Sequence, residues 1–299
     1  MAIKKWSVMT NCAMSEGIFM IDVAMAIMDP DNLFLRYAFI MGGLAAISFG
    51  IIGTFVTIKR IGYLAGAISH SVFGGIGLAL FLQVNAGLTW FDPILGAVLA
   101  AITAAVIVGL VSLHAKERED TIIGTLWAVG MASGILLIDM TPGYFNLSSY
   151  LFGDILLISG KDLLFVGCLD AIVLGLSILF FNQFFSVCFD NEFTALRGIN
   201  TTFFYLLLLI LTALTVVLLV RVVGIVLVIA LLTIPPAIAS FYAKRLWQMM
   251  LFSILLCAAF TWAGLGISYA FSLSSGPAII VLSGAVYLVL IVIHKVLKS

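Results

Sequence analysis

The sequence predicts an all-helical membrane protein that crosses the bilayer several times. Of its 299 residues, 64% are hydrophobic and only 9% are charged, whereas charged residues make up about a quarter of an ordinary soluble domain. Its charge-free runs reach the length of about 20 residues that a helix needs to span the hydrocarbon core. An open sheet would leave unpaired backbone groups in lipid, and the alternating pattern of a membrane barrel is absent.

Charge and cysteine content exclude several other classes of protein. Fourteen basic and fourteen acidic side chains give a formal net charge of zero, which excludes a nucleic-acid binder that relies on a basic face. The cysteines are too far apart for a metal clip or a small disulfide-stabilised domain. They are Cys12, Cys168, Cys188 and Cys257.

The charge-free runs predict about eight to nine membrane-spanning helices. One run contains an internal carboxylate, and the last run is too long for one helix and is expected to break at Ser272 to Pro277. The runs are Tyr37 to Ile58, Ile61 to Phe91, Pro93 to Leu113, Thr121 to Ile138, Leu163 to Phe189, Gly198 to Val220, Val222 to Ala243 and Leu246 to His294.

Basic residues on alternate connections set the expected orientation. Lys and Arg concentrate in the cytoplasmic loops of membrane proteins, so the N-terminus is expected outside and the C-terminus inside. The opposite side is acidic, which favours cations. The basic residues are Lys59, Arg60, Lys116, Arg118, Arg197, Lys244, Arg245, Lys295 and Lys298, and the acidic ones are Asp92, Asp139, Asp154 and Asp162.

A single membrane domain is expected over residues 33–298, after a leader or interfacial segment over residues 1–32. We find no soluble domain in the sequence. A nucleotide-binding motif is also absent, since Gly160-Lys161-Asp162 lacks the glycine spacing and the Ser or Thr of a P-loop. If the chain moves a solute with ATP, another chain must bind the ATP.

His70 is a polar side chain near the middle of the second run. It lies about 15 Å along a helix from the basic pair at the start of that run. Gly66, Gly74 and Gly77 share its helix face. Either this face is a packing seam in which His70 bonds to a neighbouring helix, or the imidazole faces open space and binds a transition metal.

Two further features inside the runs are costly in lipid. Asp170 either pairs with a backbone or hydroxyl group or belongs to a cation site. Pro235 and Pro236 cannot donate backbone hydrogen bonds, so they are expected to break or kink the seventh run. Such a break occurs where protein or water satisfies the freed carbonyls, either beside a transport path or as a structural bend.

A short polar segment, Asp190 to Ile199, follows the fifth run on the expected cytoplasmic side. Asp190 can cap a helix, Glu192 suits its first turn, and Gly198 can end it. The segment is therefore expected to form a short surface helix. It is either an ordinary connection or a docking element for a cytoplasmic partner.

Several of these motifs, in this order, resemble the permease family of zinc, manganese and iron ABC importers. The resemblance covers roughly Leu33 to Lys298. It rests on Gly53-Thr54-Phe55-Val56 with Lys59-Arg60, Ala67-Ile68-Ser69-His70-Ser71, Tyr150-Leu151-Phe152-Gly153-Asp154, the polar segment, Val223-Gly224-Ile225 through Thr233-Ile234-Pro235-Pro236-Ala237, and Ser275-Gly276-Pro277.

The resemblance implies a non-enzymatic permease of the bacterial inner membrane that carries a divalent metal ion and holds no permanent cofactor. A second permease copy would complete the dimer. An extracytoplasmic metal-binding protein would supply the metal, and a cytoplasmic ATPase would dock on the polar segment. The implied path residues are His70, Asp154 and Asp170, and the docking residues are Asp190, Glu192, Phe193, Leu196 and Arg197.

One departure from the family pattern concerns the metal path. Many members carry Asp four residues before the histidine, where this chain has Gly66. The path then recruits Asp154 or Asp170, or uses fewer ligands. Two other functions remain open. One is an ion-coupled secondary transporter with Asp170 as its proton site and His70 as a relay, and the other is the permease of a metal-chelate ABC importer.

Overall fold

All regular structure in the described residues is helical. The fold comes from a computed structural model that describes residues 33–114, 119–142 and 160–298. Eleven helices follow one another there: α1 (Leu33–Lys59), α2 (Gly62–Asn85), α3 (Pro93–His114), α4 (Glu119–Asp139), α5 (Gly160–Leu179), α6 (Phe181–Phe189), α7 (Asn191–Leu196), α8 (Thr201–Val223), α9 (Ile225–Tyr242), α10 (Leu246–Phe271) and α11 (Ser275–Lys298).

The predicted all-helical, multi-pass architecture is confirmed. Within the described ranges, seven helices are long and apolar enough to cross a membrane, or eight if the bent pair α5 and α6 counts as one span. α8 adds a shorter apolar stretch, Thr201–Val217. The final run breaks between Phe271 and Ser275, as expected. The leader over residues 1–32 lies outside the described residues.

The run Leu163 to Phe189, which was expected as one span, forms two helices, α5 and α6. The chain bends by 74° between α5 and α6. In α6, Phe184 is buried and its ring centroid lies 5.4 Å from that of Phe55 on α1 and 6.1 Å from that of Phe204 on α8. The bend lets α6 bury this aromatic face against two neighbours, a tertiary gain that local hydropathy does not reveal.

α1 lies at the centre of the fold and packs against α5, α9 and α10. Small residues allow this close packing. A Cβ atom added at Gly50 would lie 2.6 Å from the backbone nitrogen of Ile254, and one added at Gly53 would meet the Leu232 carbonyl oxygen of α9. These glycines therefore set the distance between α1 and the two helices beside it.

Of the break or kink expected at Pro235 and Pro236, the break is wrong, because α9 continues as one helix through both prolines. The prolines leave the carbonyls of Leu231 and Leu232 without their usual intrahelical donors. The Cys257 thiol of α10 donates to the Leu231 carbonyl at 3.4 Å, and the Leu232 carbonyl packs on the glycine face of α1. The thiol thus replaces one of the two missing donors, and the other carbonyl lies in a helix interface.

A second group of helices forms around α2, which packs against α3 and α4. Gly75 of α2 and Gly96 of α3 face each other, and a Cβ on either would collide with the other's carbonyl oxygen. α8 joins this group to the first by packing against α1, α2, α3 and α5.

The reciprocal glycine contact predicts that Gly75→Ala destabilises the protein by about 1–3 kcal/mol, because α2 and α3 must move apart. Thermal unfolding of purified protein in detergent measures the loss. Gly284→Ala is the matched control, since its added Cβ meets no described atom within 4 Å. Equal melting temperatures for the two variants would contradict the close approach of the helices.

Candidate functional site

His70 lies between α2 and α4, with only 8% of its surface exposed. Its imidazole stacks on the Trp127 indole, with ring centroids 4.5 Å apart and an interplanar angle of 18°. Its Nδ1 atom is buried and has no hydrogen-bond partner among the described residues. A buried nitrogen without a partner is uncommon and costly, so this atom stands out as a ligand candidate.

The glycines on the His70 face form the packing seam between α2 and α4. A Cβ atom added at Gly74 would lie 2.8 Å from the Gly130 carbonyl oxygen, and one at Gly77 would lie 2.9 Å from the Gly134 Cα atom. Close backbone contacts of this kind hold membrane helices together. The glycines of this face therefore pack closely against α4, and His70 Nδ1 has no hydrogen-bond partner among the described residues.

Trp127 also explains why a glycine stands at position 66. A Cβ atom added at Gly66 would lie 3.0 Å from the Trp127 ring. Any larger side chain at position 66, aspartate included, therefore requires the indole to move. Trp127 fills the space in which a carboxylate at position 66 would accompany the imidazole.

Asp170 lies in the interface between α5 and α1, at 5% exposure. Ser48 Oγ of α1 donates a hydrogen bond to Asp170 Oδ1, so the expected pairing with a hydroxyl is present. Asp170 Oδ2 has no partner among the described residues. The carboxyl group is therefore half satisfied by protein and keeps one oxygen available for a proton or a cation.

The two predicted path residues that the structure describes, His70 and Asp170, do not lie together. His70 contacts α4 and Asp170 contacts α1, so they occupy different interfaces. Asp154 lies outside the described residues. In the described part of the chain, no group of three or more His, Cys, Asp or Glu side chains is arranged to hold a metal.

The polar segment forms the short helix that was predicted. Asp190 Oδ1 accepts hydrogen bonds from the backbone nitrogens of Glu192 at 2.9 Å and Phe193 at 3.0 Å, and α7 follows over Asn191–Leu196. Gly198 ends the turn with φ of +75°, a conformation that glycine adopts without strain. The cap, the first turn and the terminating glycine are all confirmed.

α7 presents two apolar side chains outward. Phe193 is 49% exposed and Leu196 is 87% exposed, and we call this pair the apolar ridge. The Arg197 guanidinium lies 4.7 Å from the centre of the Phe193 ring, which holds the ring in place. Thr194 is fully buried on the opposite face, so the helix is anchored on one side and free on the other.

Sequence reasoning missed two residues that contact the candidate site. Trp127 covers His70, and Ser48 binds Asp170. Both lie inside apolar runs, where nothing in the local pattern shows which neighbouring helix a side chain will meet. Only the packing of α4 on α2 and of α5 on α1 identifies them.

Ser48→Ala is predicted to lower the free energy of unfolding by about 1–3 kcal/mol, because it leaves the buried Asp170 Oδ1 without its donor. The melting temperature of the purified protein reports the change. Ser240→Ala serves as the control, since Ser240 is exposed and its hydroxyl bonds only to the nearby Ala237 carbonyl, at 2.6 Å. A Ser48→Ala protein as stable as the control would show that the hydroxyl contributes nothing to holding Asp170.

Sequence comparison identifies relatives that align along most of the chain. A protein of Chlamydia pneumoniae described as "Probable metal transport system membrane protein" is 37% identical over 252 residues, which are 84% of this chain and 86% of that protein. The manganese transport system membrane protein MntC of Listeria monocytogenes is 30% identical over 256 residues, which are 86% of this chain and 89% of that protein.

A solved structure shares the fold. PsaBC from Streptococcus pneumoniae, in complex with Fab, superposes with a TM-score of 0.79 at 28% identity, covering 90% of this chain and 94% of that chain. The apolar helices and these relatives make the protein a multi-pass protein of the bacterial inner membrane. The sequence model that describes the ABC 3 transport family matches residues 31–294, and the chain therefore belongs to that family.

Proposed function

We propose that this chain is the membrane-spanning permease subunit of an ATP-driven importer for a divalent transition metal ion. The metal, zinc, manganese or iron, is delivered by an extracytoplasmic binding protein and passes through the permease into the cytoplasm. The chain forms and breaks no covalent bonds itself and holds no permanent cofactor. Membership of the ABC 3 transport family supports this function. The metal cargo, the direction of transport and the partner proteins are what we propose beyond it.

The observation that carries the proposal is the apolar ridge on α7. An exposed phenylalanine and leucine on a capped, anchored helix are costly in water and suit a groove on a partner protein. The sequence carries no nucleotide-binding motif, so ATP-driven motion has to enter through a contact with another chain. Glu192 and Arg197, which flank the ridge, would fix its register on the cytoplasmic ATPase.

The other partners follow from the two ends of the transport path. A second permease copy, identical or different, completes the membrane unit. The acidic residues on the expected outer side attract cations and a binding protein that carries them. ATP binding and hydrolysis in the partner favour different states of the permease, and the metal moves as those states alternate. Residues 33–298 form the permease domain in this proposal, and residues 1–32 precede it.

His70, Asp154 and Asp170 are the proposed residues of the metal path. Because His70 and Asp170 occupy different helix interfaces, they would contact the metal in succession rather than as one cage. Each offers an atom that suits this role, since His70 Nδ1 and Asp170 Oδ2 are buried and lack partners among the described residues. The Nδ1 lone pair lies in the plane of the imidazole ring, so a metal could bind there while Trp127 stays stacked on the ring face.

Manganese is the first metal to test. Among the relatives, MntC of Listeria monocytogenes and ScaB of Streptococcus gordonii are both named for manganese transport. Imidazole nitrogen and carboxylate oxygen are also donors that manganese accepts, whereas no thiolate is among the proposed path residues.

His70→Ala is expected to lower manganese uptake about 10–100-fold, because it removes the only imidazole of the proposed path. Uptake is measured in cells or proteoliposomes that also contain the ATPase and the binding protein. His294→Ala is the matched control, since His294 stacks on Phe241 near the C-terminal end of α11. Normal uptake by a well-folded His70→Ala protein would leave His70 as a packing residue.

Replacing Phe193 and Leu196 with Asp is expected to detach the ATPase or to uncouple its turnover from transport, because charge on the apolar ridge cannot enter a groove. Co-purification with the ATPase and coupled manganese uptake are both measured. Leu273→Asp in the loop between α10 and α11 is the control, since Leu273 is 56% exposed and lies on the expected outer side. Retention of both the complex and coupled uptake would place the ATPase contact elsewhere, for instance at His114 to Asp120.

A further inference from the structure

Lys59, the last residue of α1, binds the start of the polar segment. Its Nζ atom donates a hydrogen bond to the Val187 carbonyl oxygen at 2.6 Å and to Asn191 Oδ1 at 3.0 Å. It also lies 5.9 Å from the centre of the Tyr205 ring of α8. A single ammonium group thus holds the last turn of α6, the first residue of α7 and the end of α1 together.

The chemistry of these contacts makes the attachment a strong one. The Val187 carbonyl belongs to the C-terminal end of α6, where the helix dipole favours a cation. Lys59 is only partly exposed, and hydrogen bonds from a charged donor are stronger when water is partly excluded. The Cys188 thiol also lies 4.0 Å from the Phe55 carbonyl oxygen of α1, so α6 follows the same end of α1.

α1 also contacts the candidate metal path and the proline-containing helix farther along its length. Its Ser48 binds Asp170, and its Gly53 packs on the Leu232 carbonyl of α9. Ser48 lies eleven residues before Lys59 in α1. At a rise of 1.5 Å per residue, the distance between them along the helix axis is about 16 Å. One continuous helix therefore connects the polar segment at its end with the buried carboxyl group of Asp170 about three turns away.

We propose that Lys59 is a positioning residue that couples the polar segment to α1. When the ATPase moves α7, the Lys59 contacts transmit the displacement to α1 and through it to the Asp170 and α9 interfaces. Lys59 touches neither the metal nor the nucleotide in this scheme. The inference rests on the proposed function, because it needs an ATPase that acts on α7.

Lys59→Met tests the inference, because methionine keeps most of the length of the side chain and removes all three donors. The variant is assembled with the ATPase and the binding protein, and complex recovery, ATP hydrolysis and manganese uptake are measured together. Complex recovery and hydrolysis are expected to stay near wild type, while manganese imported per ATP hydrolysed falls about tenfold. Lys59→Arg, which keeps a charged donor, is expected to restore most of the ratio.

Lys244→Met is the matched control, since Lys244 is an exposed lysine at another connection on the expected cytoplasmic side; it should leave the ratio unchanged. If Lys59→Met unfolds, Asn191→Ala removes one of the two acceptors and should lower the ratio in the same direction. An unchanged ratio in Lys59→Met, or in Asn191→Ala where that variant replaces it, would overturn the inference. So would failure of Lys59→Arg to restore a lowered ratio. Failure of the proposed function is distinguishable, because the wild-type complex would then import none of manganese, zinc and iron with ATP.

Discussion

The close approach of α1 to its neighbours is the constraint on which the rest of the fold depends. Lipid is as apolar as the helix surfaces, so helices in a bilayer associate through tight packing and satisfied polar groups. Gly50 and Gly53 supply the packing, because a Cβ at either would collide with backbone atoms of α10 or α9. The same contacts bring the Leu232 carbonyl against α1 and let α9 keep its two prolines without unwinding.

Polar side chains within the membrane are mostly satisfied inside their own helices. Many serine and threonine hydroxyls donate to the carbonyl four residues earlier, as Ser69, Thr212 and Thr261 do. Against this background, only three buried side-chain atoms in the described residues lack a partner: His70 Nδ1, Asp170 Oδ2 and Ser177 Oγ. Two of these three atoms belong to residues proposed for the metal path. A buried side-chain atom without a protein partner is expected where a ligand binds.

Much of the architecture was predictable because hydropathy and capping are local properties. Most runs matched a helix to within about four residues, although the run Ile61 to Phe91 ends six residues beyond α2. Asp190 and Gly198 predicted the bounds of α7. The bend before α6 was not predictable, because it depends on burying Phe184 against α1 and α8. The unbroken course of α9 was missed for a similar reason, since a thiol on α10 donates to a carbonyl freed by the prolines. At the candidate site, the glycines on the helix face of His70 could be predicted from their spacing. The stacking of Trp127 on His70 could not.

ATP-dependent manganese uptake by a reconstituted complex is the most direct test that this chain is the permease of an ATP-driven importer. Proteoliposomes would contain this permease, with or without its ATPase, and would receive manganese-loaded binding protein on the outer face. We predict that uptake requires the ATPase and ATP on the cytoplasmic face. We also predict that uptake persists when the proton gradient is collapsed. Uptake by the permease alone, driven by an imposed proton gradient, would contradict ATP-driven import and identify an ion-coupled carrier.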